Sequence, residues 1–300
     1  MLDLDGCCVS REDTEIMSLD ATPVENATPT IPKTVWMMWL QGLDNAPYIV
    51  QKCYASWKNL NPGWDVVFLD ETNYRDYVDI QAVLDTDNKI EIQARANLIR
   101  IHLLAQYGGV WADATCLCRV PLDNWLEDHA KAGFFAFDRP HRARLMDNWF
   151  MASSKDCYLT KRLRDAAVAY WMSNTGLSRH RNDLISRLLM VFSMDTRTTR
   201  FTFSYPFRKI LKAYPYHWFM YLFTELVRTD PRFRQIWAET GKIGADLPHM
   251  VQNVGMLSPL TEEIKREIDS KRSPLYKLAW RYDASNYDEN TVLYYLLESQ

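Results

Sequence analysis

Glycine (10 residues) and proline (13) are scarce in this 300-residue chain, which excludes collagen-like and low-complexity architectures. No run of 18 consecutive apolar residues occurs, so the sequence offers no membrane-spanning helix. Neither sign of charge is in excess. With 35 Lys and Arg against 38 Asp and Glu the net charge is −3, and bulk charge gives no reason to expect a nucleic-acid partner or general binding to anionic membranes. A basic leader with an apolar core is missing from the start, where residues 1–5 carry acids. The six cysteines, at 7, 8, 53, 116, 118 and 157, lack the paired spacing of a zinc site. They are expected as reduced thiols in a reducing, cytoplasmic setting, with a local metal or redox role as the alternative. No Walker loop, nucleophile elbow, HExxH pair or dinucleotide-binding glycine pattern is found.

What is present is a globular composition, 47% hydrophobic and 13% aromatic. Residues 1–30 read as an irregular, polar lead-in. Lys33–Leu40 is a nearly unbroken apolar run ending at Gln41-Gly42, as expected of a strand buried on both faces. Ile49, Val50, Cys53, Tyr54 and Trp57 follow at helical spacing, stopped by Asn61-Pro62-Gly63, and residues 64–70 predict a second buried strand. Strand, helix and strand in so short a span predict a βαβ unit and an α/β sheet, with ligands gathered at the carboxyl ends of the strands. A helix is expected over residues 91–107, closed by Gly108-Gly109, then a short strand ending in Asp113. Phe134–Phe137 and Trp149–Ala152 read as further strands, and the chain after Leu159 as mainly helical. Residues 31–300 are taken as one domain, halved near 155/156.

On a helical wheel, His102, Gln106 and Arg95 share a solvated face, whereas Asn97 and Arg100 point into the apolar side. A buried guanidinium must meet an acid or an anionic ligand. Two readings follow for Arg100: a structural ion pair, or a clamp on a phosphate or sugar at a site that includes Asp113. Asp113 and Thr115 present two oxygen-bearing side chains on one side of an extended segment. That would suit Mg²⁺ or Mn²⁺ once a diphosphate supplies further ligands; a turn or cap acid is the plainer alternative. Trp36 reads as core, and Trp39, near the ligand-facing strand end, as an aromatic able to stack on a base. His217 and His249 are candidate acceptor or phosphate contacts, against an ordinary structural role. Lys277 is a candidate point charge closing over a diphosphate, against a solvated lysine. The aromatic and basic stretch 205–223 fits either a membrane surface or lipid-linked acceptor, or a helix closing the core. Residues 262–272 read as a solvated helix face.

Three blocks, Ile31-Pro-Lys-Thr-Val-Trp-Met-Met-Trp-Leu-Gln-Gly42, Cys53–Gly63 and Leu98–Thr115, resemble the capsular polysaccharide synthesis family. That family is grouped with the DXD sugar-binding glycosyltransferases, alongside the yeast initiating mannosyltransferase and the clostridial glucosylating toxins. Asn148–Ser153 and Ser273–Leu278 are similar to its later blocks. The resemblance implies a GT-A-like α/β fold: a mixed, mainly parallel sheet flanked by helices, with a helical C-terminal elaboration. The 31–155 half would bind the nucleotide sugar and the 156–300 half the acceptor. It implies a retaining hexosyltransferase that uses Mn²⁺ or Mg²⁺ and a UDP- or GDP-hexose, acting on a glycan or lipid-linked acceptor in surface polysaccharide assembly. Peripheral association with the inner membrane face belongs to the same expectation. By position, Trp39 would stack on the base, with Gln41 and Gly42 beside it. Asn97 and Arg100 would hold donor sugar and phosphate, Asp113 and Thr115 would open and close the DXD motif and hold the metal, and Lys277 would meet the diphosphate. Asn97 and Thr115 stand where the family pattern has aspartates. The alternative function is therefore a catalytically weakened nucleotide-sugar-binding protein on the same scaffold.

Overall fold

The computed structural model describes residues 29–282 and 288–298. The lead-in and Cys7 and Cys8 lie outside the described residues, apart from its last two positions. The described chain begins with β1 (Thr34–Met38), α1 (Tyr48–Leu60), β2 (Asp65–Leu69), the single turn α2 (Gln81–Leu84) and α3 (Ile92–Gln106). It continues through β3 (Gly109–Ala112), β4 (Cys116–Cys118), the turn α4 (Leu126–His129), β5 (Phe134–His141) and β6 (Arg144–Ser153). Helices α5 (Tyr158–Met172), α6 (Leu184–Phe192), α7 (Trp218–Thr229), α8 (Pro231–Glu239), α9 (Asp246–Val254) and α10 (Glu262–Asp269) then lead to β7 (Leu275–Lys277) and α11 (Val292–Glu298).

Five strands form one sheet in the order β2-β1-β3-β6-β5. β1 lies parallel to β2 and β3, while β6 runs antiparallel to both β3 and β5, so β6 alone of the five is reversed. The expected α/β class, a mixed and mainly parallel sheet flanked by helices, is the one observed. Alternation along the strands divides the core into two layers. Trp36, Trp111, Phe134 and Met151 join the helices α3, α5 and α7 on one face. Val35, Met37, Val110, Phe135 and Phe150 pack toward α1, β4, β7 and α11 on the other.

Several expectations change. The strand expected over 64–70 is the edge strand β2, and most of it is only half-buried because no strand covers its outer side. The runs at 134 and 149 extend into a hairpin of eight- and ten-residue strands. The C-terminal half is helical apart from β7, which pairs with β4 in a second, two-stranded sheet. Within 205–223, the reading as a helix closing the core holds for Trp218–Phe223, which is buried in α7. Arg95 is tied to Glu71 at 2.6 Å and to the Tyr74 hydroxyl at 2.7 Å, so it leaves the solvated face. His102 is half-buried, its Nδ1 2.7 Å from Leu98 O. No helix among the described residues is long and apolar enough to cross a membrane.

Gly108 and Gly109 do more than end α3. Both have positive φ, +70° and +90°, in the left-handed region disfavoured for side-chain-bearing residues. A Cβ on Gly109 would lie 2.6 Å from Thr34 O, and one on Gly108 2.7 Å from Lys155 N, so each chain passes too close for even a methyl group. Gly109→Ala is therefore expected to destabilise by about 2 kcal/mol or more. Urea unfolding checks this, and a loss below about 0.5 kcal/mol would contradict the close approach.

Candidate functional site

β3 carries Asp113 just past its carboxyl end, where the Asp113 N–H donates to Trp149 O at 2.7 Å. The apolar side of α3 packs on the sheet and carries Arg100 with it. Arg100 Nη2 donates to Asp113 Oδ1 at 2.7 Å and Nη1 to Asn97 Oδ1 at 3.1 Å, while the guanidinium lies 4.8 Å over the Trp111 ring. Trp111 Nε1 donates to the same Asp113 oxygen at 2.9 Å. The second cation arrives from 164 residues downstream. The β4–β7 ladder sets Lys277 opposite Cys116, and Lys277 Nζ donates to Asp113 Oδ2 at 3.1 Å and to Thr115 Oγ1 at 2.6 Å.

These charges are largely withdrawn from water: the side chains of Arg100, Lys277 and Asp113 are 5%, 17% and 28% exposed. Burial alone would raise the Asp113 carboxyl, but Lys277 and Arg100 outweigh it and hold the group below the ordinary carboxylate range. Burial lowers Arg100, with Asp113 opposing. It would lower Lys277 too, but there Asp113 prevails and the ammonium is held above its ordinary value. The neighbouring Arg144 and Asp147 balance one another at 2.8 Å. A buried and a half-buried cation thus share one carboxylate, and Arg100 Nε has no hydrogen-bond partner among the described residues. A surplus positive charge at the floor of a cleft favours an anion.

The cleft has a volume of about 960 Å³. Trp39, Gln41, Asn97, Arg100, Asp113 and Thr115 all line it, and so do His217, His249 and Lys277. Gly42 does not line it. Its N–H donates to Trp39 O at 2.9 Å with φ +82°, so it turns the chain beneath Trp39. Trp36 is core as expected, its Nε1 donating to Gly108 O at 2.9 Å. For Arg100 the two sequence readings coincide: its ion-pair partner is the candidate site acid itself. Lys277 is half-buried and doubly bonded, not solvated. His249 bonds Ala245 O through Nδ1 at 2.8 Å and sets its ring edge against Trp149, a structural role at the cleft wall. His217 is different. Burial, reinforced by nearby Arg144, pushes its pKa down to about 3, and its Nδ1 has no partner among the described residues.

Sequence reasoning missed Trp280 and Asn148. Trp280 is 48% exposed and meets Trp39 edge-on, with ring centroids 5.8 Å apart. Asn148 Nδ2 donates to Asn97 Oδ1 at 2.6 Å and so fixes the amide beside Arg100. Both fall in or next to blocks already singled out, but only the fold brings them to the cleft.

A divalent cation does not fit the arrangement of Asp113 and Thr115. Both carboxylate oxygens already accept from fixed cations, and the Thr115 hydroxyl accepts from Lys277. Among the described residues no group of three or more His, Cys, Asp or Glu could hold a metal. The described cysteines are buried and free. Burial pushes the thiols of Cys116 and Cys118 up to about 12, as expected of reduced, unreactive groups.

An α/β sheet with an anion-seeking site at its strand ends defines a class of ligand-binding fold. The chain matches the family model described as capsular polysaccharide synthesis protein over residues 11–180, more than half its length, and belongs to that family. It is 31% identical over 183 residues to O-glycosyltransferase braB of Annulohypoxylon truncatum, covering 54% of this chain and 43% of that protein. It is 28% identical over 197 residues to Glycosyltransferase afumC of Aspergillus fumigatus, covering 59% of this chain and 50% of the relative. The chain therefore spans about half the length of these curated relatives or less. The solved PaToxG Glycosyltransferase aligns over 80% of this chain and 84% of its own, with a TM-score of 0.37 and 15% identity, a likeness too slight to carry an argument.

Asp113→Ala leaves two cations without their shared partner and is expected to cost about 3 kcal/mol, whereas Lys277→Met leaves the Arg100–Asp113 pair intact and costs less. Melting temperatures falling in the reverse order would contradict the arrangement. Because the folded Asp113 carboxyl lies below its ordinary value, its stabilisation is present above the usual carboxylate range and is lost as pH falls through the lowered value. The stability gap between wild type and Asp113→Asn should accordingly narrow in acid; a gap that widens would show the opposite sign of shift.

Proposed function

We propose that the protein is a glycosyltransferase that takes its sugar from a nucleoside-diphosphate donor and passes it to a hydroxyl group. The observation that carries this reading is the shared carboxylate: Arg100 and Lys277 converge on Asp113 at the floor of the cleft and leave positive charge uncompensated. A diphosphate is the anion that matches two fixed cations side by side. Trp39, with Trp280 beside it, offers an aromatic face for the base. Asn97, whose amide oxygen accepts from Arg100 and Asn148, would meet the sugar hydroxyls. Family membership and relatives named as glycosyltransferases, one of them an O-glycosyltransferase, support the reaction class.

In this reading the bond between the sugar's anomeric carbon and the diphosphate oxygen breaks, and its electron pair goes to the leaving diphosphate. The acceptor oxygen bonds to that carbon and gives its proton to an oxygen of the departing diphosphate. Negative charge grows on the diphosphate as the bond lengthens, so preorganised cations in a poorly hydrated cleft stabilise the transition state more than the ground state. Arg100 and Lys277 supply that charge from the protein itself. His217 stays neutral across the physiological range and can accept a hydrogen bond from a hydroxyl. Retention of configuration, a hexose as the transferred sugar and a surface polysaccharide as the product are the finer parts of the proposal and rest on the family resemblance.

Thermal-shift titration with UDP and with GDP tests this. One of them should raise Tm, by a similar amount with a chelator or with Mn²⁺, and Lys277→Met should lose most of that shift. If neither nucleotide shifts Tm, the donor assignment fails. If donor binds but is neither hydrolysed nor transferred, the chain is a nucleotide-sugar-binding protein.

A further inference from the structure

A second feature lies outside the cleft and does not depend on its function. Helix α6 is apolar nearly all round, a pattern normally found only in buried or lipid-facing helices. Its inner side, Ile185, Leu189 and Phe192, packs with Phe207, Leu211 and Ala213 into a small core of its own. Its other side is uncovered. Leu184, Leu188 and Val191, at spacings of four and three, form one stripe and are 71%, 40% and 58% exposed. Met190 and Met194 are also exposed, and so are Phe201, Tyr205 and Ile210 in the segment that folds back on α6 through contacts of Phe192 with Phe201 and Phe207. Asp183 secures the start of the helix with a capping box, so the stripe is held in place and not a frayed end.

The charge around this stripe is unlike that of the whole chain. Residues 181–212 carry seven Lys or Arg against two Asp, a net charge of +5 in a protein whose total is −3. Both acids are engaged locally, Asp183 in the helix cap and Asp195 with Arg197 at 3.0 Å. Arg187, Arg200, Arg208 and Lys212 have no acidic partner among the described residues. Exposed apolar side chains fringed by unpaired cations suit a surface that offers an apolar interior beneath a layer of negative charge.

We infer that α6 and the segment through Ile210 dock the protein peripherally on an anionic phospholipid bilayer. Leu184, Leu188 and Val191 enter the headgroup boundary, and the surrounding arginines and lysines face lipid phosphates. The docked segment runs on into Tyr216 and His217 of the cleft wall, six and seven residues beyond Ile210, so docking would bring that wall close to the lipid surface.

Co-sedimentation of the full chain with vesicles tests the inference. The protein should pellet with phosphatidylcholine–phosphatidylglycerol vesicles, far less with phosphatidylcholine alone, and less as salt is raised. Leu188→Glu with Val191→Glu, on an exposed face, should keep the wild-type Tm and weaken binding roughly tenfold or more; Arg187→Glu with Arg200→Glu should do likewise. No pelleting with anionic vesicles, or pelleting that neither variant weakens, would overturn it. Light scattering on the same samples provides the protein-partner outcome: a dimer that the leucine and valine changes dissociate, without vesicle binding, would also overturn it.

Discussion

The structure turns on a carboxylate shared between two cations. A lone buried ion pair is at least neutral, since its charges cancel. Here Asp113 answers both Arg100 and Lys277, while the nearby Arg144 and Asp147 already balance each other. The cluster is positive where water is scarce, and such a cluster persists only if the rest of the fold holds it or a ligand completes it. The fold does hold it. Trp111 supports both partners, with its ring against the guanidinium and its N–H on the carboxylate.

Each member reaches the cluster by a different structural route. Asp113 follows directly from the end of β3, the strand at which the sheet passes from parallel to antiparallel pairing. Arg100 depends on α3 lying flat on the sheet, which the glycine pair allows by letting the chain reverse against Thr34 and Lys155. Lys277 depends on the small β4–β7 sheet, built from the segment immediately after Asp113 and a strand near the C-terminus. The acid and its distant lysine are therefore set by the register of one short ladder. The same ladder brings Lys277 onto an Asp113 oxygen and the Thr115 hydroxyl.

Much of this was legible in the sequence because the signals were local. The run at Lys33–Leu40, the helix ending at Asn61 and the Gly108-Gly109 stop fixed their elements by periodicity and turn chemistry alone. The wheel turned Asn97 and Arg100 inward correctly, since helical geometry determines direction once the apolar side is known. The sequence could not say what Arg100 would meet, nor that Lys277 would meet the same acid, because both are tertiary facts. The exposure of β2 followed from strand order, which no local pattern encodes. Trp280 escaped notice for a similar reason: an aromatic beside a short strand is ordinary until the fold sets it against Trp39. The apolar composition of α6 was equally visible, but only the structure revealed that its outer stripe has no cover.

A crystal structure with a bound nucleoside diphosphate, obtained in the presence of a chelator, tests the account most directly. Phosphate oxygens should lie within hydrogen-bond reach of both Arg100 and Lys277, with the base against Trp39. A diphosphate seated elsewhere, or one that enters only when a divalent ion displaces Lys277 from Asp113, would contradict it.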